Sequence, residues 1–155
     1  MQLLLPAMGY GRRLTTRGFI VRAGSPREAP AILELWQQAR SKHATTPDRL
    51  GDAQRLLAET PGSLLVADCD GAILGALIAA WDGWRGNMYR LAVRFEHRRR
   101  GIGLALVRAG EDHLRQQGAR RITALVGYDD EVAAAFWESA GYPQDREIGR
   151  RVRNL

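Results

Sequence analysis

Cysteine and lysine are nearly missing from this chain of 155 residues. With Cys69 as the sole cysteine, no disulfide can close within the chain and no cysteine cluster can hold zinc. Lys42 is the sole lysine among 23 basic residues, so the positive charge is carried by arginine. A P-loop, which needs Gly-Lys-Ser/Thr, is thereby excluded. His43 and His113 lack metal-ligand spacing and no metal is expected, while His97, beside the arginines, reads as an exposed loop histidine that could also help with phosphate. No apolar run approaches the ~20 residues of a membrane-spanning helix, and no membrane partner is expected. There is no internal repeat and no low-complexity stretch.

What is present describes one ordinary globular domain. At roughly 150 residues per domain the length leaves no room for a second, and a chain of this size buries a core without staples. Residues 1–18 read as a leader, flexible or lying on the surface, and residues 19–155 as the single domain. Leu3-Leu4-Leu5 is broken by Pro6 and no basic residue precedes it, so it does not read as a secretory signal. Together with a lone thiol, this makes the cytoplasm the expected compartment. The net charge is +6, and arginine is the better fork for oxyanions, which suits a phosphate-bearing partner.

The punctuation from Phe19 onward is clear. Phe19–Ala23 reads as a strand. Ser25-Pro26-Arg27-Glu28 supplies a capping box with proline at the first helical position. Ala29, Ile32, Leu33, Trp36 and Ala39 continue as an amphipathic helix. Thr46-Pro47 predicts the start of a second helix, which Thr60-Pro61-Gly62 stops. Ser63–Asp68 and Ala72–Trp81 read as strands joined by the hairpin signal Asp70-Gly71. After the turn Asp82–Gly86 comes a strand over Met88–Val93. Gly103, Leu106, Val107, Gly110 and Leu114 share one face of a helix ending at Gly118. Ile122–Val126 reads as a strand, Asp130 caps a last helix stopped by Gly141, and Arg146–Arg153 reads as a final basic strand. A meander followed by one strand–helix–strand crossover predicts an α/β (α+β) mixed sheet, mostly antiparallel, flanked by about four helices. The crossover makes Met88–Val93 and Ile122–Val126 parallel neighbours.

Arg98-Arg99-Arg100-Gly101-Ile102-Gly103 lies between a strand and the patterned helix. A helix N-terminus offers unpaired N–H groups and partial positive charge, and the two glycines let backbone approach a ligand. A pyrophosphate fits this chemistry, and so does a solvated basic turn; the six residues do not choose between them. A dinucleotide fingerprint is excluded, because Leu106 stands at its third glycine and no acidic residue ends the next strand.

Arg98-x-x-Gly101-x-Gly103 resembles the acetyl-CoA loop of the GNAT N-acetyltransferase superfamily, in its (Gln/Arg)-x-x-Gly-x-(Gly/Ala) form. The stretch from Asp130 to Tyr142 is similar to the family's second block, a capped helix ending in Gly-aromatic. Asp82–Gly86 with Tyr89–Val93 is most like the bacterial YpeA-type branch. The resemblance covers Phe19 to the C-terminus and implies a GNAT-like fold that uses acetyl-CoA as co-substrate. It implies that the backbone of Leu91, Ala92 and Val93 pairs with the pantetheine arm, and that Arg98, Arg99, Arg100, Gly101, Ile102, Gly103 and Leu104 hold the pyrophosphate. Asp130, Ala133, Phe136 and Trp137 would flank the thioester. An amine would attack the acetyl carbonyl directly, a strand N–H stabilising the oxyanion. The acceptor, a small-molecule or protein amine, would meet Trp84, Arg85 and Tyr89. A homodimer stays open.

The chain departs from the family twice. Trp137 stands where many members carry a proton-donating tyrosine, and Leu125 where related ribosomal-protein acetyltransferases carry a basic glutamate. Neither replacement can do that work. Asp82 and Glu96 are the candidate substitute bases and Tyr128 the candidate acid, each with a plain reading as a turn or rim residue. The leading expectation is an acetyl-CoA-dependent N-acetyltransferase. The alternative is a CoA-binding module with little or no transfer. Nucleic-acid binding ranks below both, since a phosphorylated cofactor accounts for the densest arginine cluster.

Overall fold

The computed structural model describes residues 18–39 and 46–153. The leader, all but Gly18, lies outside the described residues, as do Lys42 and His43. Five strands, β1 (Ile20–Ala23), β2 (Leu64–Cys69), β3 (Ala72–Trp81), β4 (Gly86–Val93) and β5 (Ile122–Ala124), form one sheet in chain order. The first four pair antiparallel and β4 pairs with β5 in parallel. The helices are α1 (Ala29–Ala39), α2 (Leu50–Glu59), α3 (Ile102–Gln116) and α4 (Glu131–Ser139). None of them is long and apolar enough to cross a membrane.

The two-residue period of the strands divides the core into two layers. Leu64 and Val66 of β2, with Ala76 and Ile78 of β3, pack beneath Ile32, Leu35 and Trp36 of α1 and Ala53 and Leu57 of α2. Their neighbours Leu65, Ala67, Leu77 and Ala79 face the other way, against Ile102, Leu106, Val107 and Leu114 of α3 and Trp137 of α4. The expected face of α3 is therefore the buried one. Gly110 belongs to it: a Cβ there would lie 2.9 Å from Met88 Cε and 3.1 Å from Leu77 Cδ2, so glycine sets how closely α3 approaches the sheet.

Three expectations fail. The second helix does not begin at Thr46-Pro47 but at Leu50, with Arg49 as its N-cap. Asp48, which could have capped it, is turned instead toward Arg90, 2.7 Å away. The strand expected to reach Val126 ends at Ala124, and that early end shapes the site. Arg146–Arg153 forms no strand; the segment is exposed and irregular and pairs with neither edge strand, β1 nor β5.

His113 is the one buried histidine among the described residues, 5 % exposed on α3 against the α2–β2 turn. Burial lowers its pKa from the ordinary 6.5, so the fold holds it neutral. Above pH 6.5 both folded and unfolded forms are neutral and nothing is lost. As pH falls from 6.5 toward the depressed native value, the unfolded chain takes up a proton that the fold refuses, and stability declines. Urea midpoints at pH 7 and pH 5.5 should therefore differ more for wild type than for His113→Asn. Equal differences in the two proteins would mean that other groups govern that pH limb.

Candidate active site

β4 and β5 pair over Gly86↔Ile122, Asn87↔Thr123 and Met88↔Ala124, and one further bond runs from Leu125 N–H to the Met88 carbonyl at 3.2 Å. Beyond that point the two strands part. Their joined end is tight: a Cβ on Gly86 would lie 2.8 Å from Leu114 Cδ1 and 3.2 Å from Ile122 Cγ1. On its other edge β4 stays paired to β3 through Ala92↔Ala76 and Val93↔Gly75. The backbone edge of Leu91, Ala92 and Val93 thus faces an open cleft instead of a neighbouring strand. The cleft is about 2960 Å³, larger than the few hundred to about 1,000 Å³ of an ordinary small-ligand pocket.

A bulge redirects that edge. Between the pairs Tyr89↔Ile78 and Ala92↔Ala76, β4 has one more residue than β3. Arg90 sits in this stretch with φ of 56°. A bulge bends a strand and re-aims its groups, a device common beside active sites.

The mouth of the cleft meets the N-terminus of α3. Gly101 is its N-cap with φ of 80°, a conformation that favours glycine, and Arg99 is also left-handed at φ 62°. The first bond of the helix runs from Ala105 N–H to the Gly101 carbonyl at 3.0 Å. Ile102, Gly103 and Leu104 therefore have no helical acceptor for their amides, and no acidic residue lies in the first turn. Arg98 Nε donates to the Val93 carbonyl at 3.1 Å and its guanidinium lies 5.5 Å from the Phe95 ring centre, which ties the loop to the end of β4. Arg99, Arg100 and Leu104 are exposed beside it. Gly103 serves packing more than ligand approach, because a Cβ there would lie 3.2 Å from Phe136 Cε2.

α4 forms the opposite wall. Asp130 accepts the Ala133 N–H at 3.0 Å, so its carboxylate caps the helix. Ala133 and Phe136 are half-buried along the wall. Trp137 is only 5 % exposed, edge-on between Phe136 and Tyr142 with ring centres 5.6 and 5.1 Å away. It supports the wall from the core side. Leu125, 44 % exposed, and Tyr128, 87 % exposed, line the β5 side.

The candidate acid–base groups divide sharply. Asp82 Oδ1 accepts the Arg85 and Trp84 amides at 2.6 and 2.8 Å, and these bonds hold its carboxyl below the usual range. Asp82, Trp84 and Glu96 lie outside the cleft lining, whereas Arg85, Tyr89 and Tyr128 belong to it. Burial raises the Tyr89 phenol. Two polar contacts went unforeseen. Tyr142 Oη donates to Glu111 at 3.0 Å, and burial followed by that carboxylate pushes the phenol well up. The Arg90–Asp48 pair is the other; no local pattern marks either, since the partners lie 31 residues apart or more.

Three comparisons bear on this geometry. Residues 29–142 match the model of the acetyltransferase (GNAT) family. An acetyltransferase of Pectobacterium atrosepticum is 30 % identical over 72 % of this chain and 79 % of its own length. An acetyltransferase of Sodalis glossinidius is 29 % identical over 78 % and 87 %. A solved structure of the aminoglycoside N-acetyltransferase AAC(6')-Iy with CoA shares the fold, with a TM-score of 0.71 at 19 % identity over 88 % of this chain and 95 % of that one. A family match across most of the chain, with a fold that opens between its parallel strands, leads to one conclusion: the chain belongs to the GNAT acetyltransferase family.

Proposed function

We propose that this protein transfers an acetyl group from acetyl-CoA to a primary amine of a small molecule or protein, by direct attack in the cleft between β4 and β5. The observation that carries this reading is the parting of β4 from β5 after Met88, beside a helix N-terminus with three uncommitted amides. An extended arm needs a strand edge to pair with, and a pyrophosphate needs such a helix end. The amides from Arg99 to Leu104 would hold the pyrophosphate, with Arg98, Arg99 and Arg100 adding charge. Leu91, Ala92 and Val93 would pair with the arm, and Asp130, Ala133, Phe136 and Trp137 would back its thioester end. The acceptor would enter past Arg85 and Tyr89.

In the transfer the amine nitrogen forms a bond to the acetyl carbon while the carbon–sulfur bond breaks and the electron pair leaves on sulfur. The nitrogen gives up its proton and the thiolate gains one. A thiol of pKa about 8.5 leaves tolerably unprotonated, so a dedicated acid is helpful rather than required. Tyr128, in the cleft, is the side chain we assign to protonate the sulfur. Asp82, bound by its own turn, and exposed Glu96 both lie outside the cleft lining and are weak candidates for a base. Exposed Leu125 and buried Trp137 favour the second reading, a CoA-binding module with little turnover.

A thermal shift with acetyl-CoA tests the cofactor half. At ~100 times its dissociation constant a ligand adds about 2.7 kcal/mol of stability. Gly101→Glu and Leu104→Glu should both lose that shift. The second also keeps the helix, since an acidic residue suits a first turn. A wild type that does not respond would end the reading.

An amine panel tests the transfer half. Tyr128→Phe should lower kcat by ~10²-fold, and Asp82→Asn should leave kcat within about twofold. Acetyl-CoA binding without turnover of any amine would select the binding module.

A further inference from the structure

Arg90 carries a backbone conformation that an arginine disfavours, and the contacts that hold it come from one side. Trp36 Nε1 of α1 donates to the Arg90 carbonyl at 3.1 Å. Arg90 Nη2 donates to the Thr46 carbonyl at 2.8 Å and pairs with Asp48 Oδ1 at 2.7 Å. All three partners belong to α1 or to the segment that leads into α2. Among the described residues none comes from α3 or α4. The clamp therefore grips β4 from the layer opposite the pyrophosphate loop.

Asp48 is unfavourably placed as well. Its side chain is 7 % exposed, and its second oxygen, Oδ2, is buried with no donor among the described residues. A strained backbone and an unsatisfied carboxylate oxygen thus meet in one ion pair. Each costs stability, and a plain strand with an apolar contact in the same place would avoid both. Such costs persist where the geometry they enforce is used. Here the residues that follow Arg90 are Leu91, Ala92 and Val93, the open edge of the cleft.

Resting on the acetyltransferase reading above, we propose that Arg90 and Asp48 are positioning residues for acetyl transfer. Their clamp fixes the bulge of β4 so that a backbone N–H meets the thioester carbonyl oxygen as negative charge grows on it. The pair takes no part in the covalent step and gives or accepts no proton. It acts through the backbone, so its loss should lower the rate of transfer and leave the hold on the cofactor alone.

Isotope-edited infrared spectroscopy of acetyl-CoA labelled at the thioester carbonyl reads this without an acceptor. Bound to the full wild-type chain, the carbonyl band should move to lower frequency than in free acetyl-CoA. Arg90→Gly accepts the left-handed backbone without strain and removes the guanidinium. It should fold, bind acetyl-CoA within about threefold of wild type, and return the band toward its free position. With any amine that wild type accepts, kcat should fall at least ~10-fold at unchanged KM for acetyl-CoA. Asp48→Asn should move both readouts in the same direction, and Arg90→Lys, which keeps a cation for Asp48, should restore most of both. If Arg90→Gly melts below the assay temperature, Asp48→Asn and Arg90→Lys decide. Wild-type band and kcat in folded, acetyl-CoA-bound variants overturn the clamp, as does an effect at Arg90 without one at Asp48. A wild type that fails to bind acetyl-CoA overturns the cofactor reading, a distinct result.

Discussion

A strand edge left without a partner is the constraint on which this molecule is built. Backbone N–H and C=O groups away from bulk water demand partners, and sheets normally supply them by adding strands. β4 is paired to β3 at both of its ends, interrupted only by the bulge at Arg90 and Leu91, yet β5 leaves it after three positions. The joint is pinched where Gly86 meets Leu114 and Ile122, and the mouth lies where β4 runs into the arginine loop. α3 spans from mouth back to joint, so the helix that offers free amides at one end locks the strands together at the other. The cleft and the amide-rich helix end are in this sense one feature, made by a single crossover connection.

Much of this was legible in the residues. The alternation of Leu64 to Ala67 and of Ala76 to Ala79 divides cleanly between two helix layers, and the spacing of Leu106, Val107, Gly110 and Leu114 marks the buried face of α3. Arg98 to Gly103 marks the glycine-capped start of α3, because glycine and helix-start signals act locally. The failures share a cause. Leu125 and Val126 suit a strand as well as Ile122 does, and only the divergence of β4 leaves them unpaired. Ile148 and Val152 among their arginines suggest a basic edge strand, but the segment stays exposed and irregular and does not join the sheet. Pro47 fits the first turn of a helix, yet Asp48 answers to Arg90, 42 residues on. No propensity places an arginine at φ 56°; three distant contacts do.

The chemistry of the cleft follows the same division between what is tuned and what is placed. A group suited to general acid–base work at neutral pH has its pKa drawn toward 7. At the candidate base Asp82, and at the cleft-lining phenols Tyr89 and Tyr142, the shifts run the other way. Asp82 is held low by its turn, while burial lifts Tyr89 and, with Glu111, lifts Tyr142 further. Trp137 and Leu125, which the resemblance sets at the family's acid and base positions, cannot titrate in that range at all. What the structure does carry is geometric cost: a left-handed arginine, a carboxylate oxygen with no donor among the described residues, and a strand edge without a strand.

Those costs are in proportion to what placement can return. Holding two reactants in line is worth effective concentrations of ~10⁵–10⁸ M, or about 7–11 kcal/mol of barrier, whereas a positioned acid or base contributes ~10²–10⁴-fold. Thioester aminolysis suits a site weighted toward the first. Its leaving group departs as a stabilised anion, its nucleophile needs only to be neutral and near, and its charge develops on one oxygen that a fixed N–H can meet. On the proposed reading, a cleft with an open edge, an amide-rich helix end and a clamped bulge supplies the larger of these two shares without a tyrosine acid or a glutamate base. The strain at Arg90 is better understood as part of that share than as a defect of the fold.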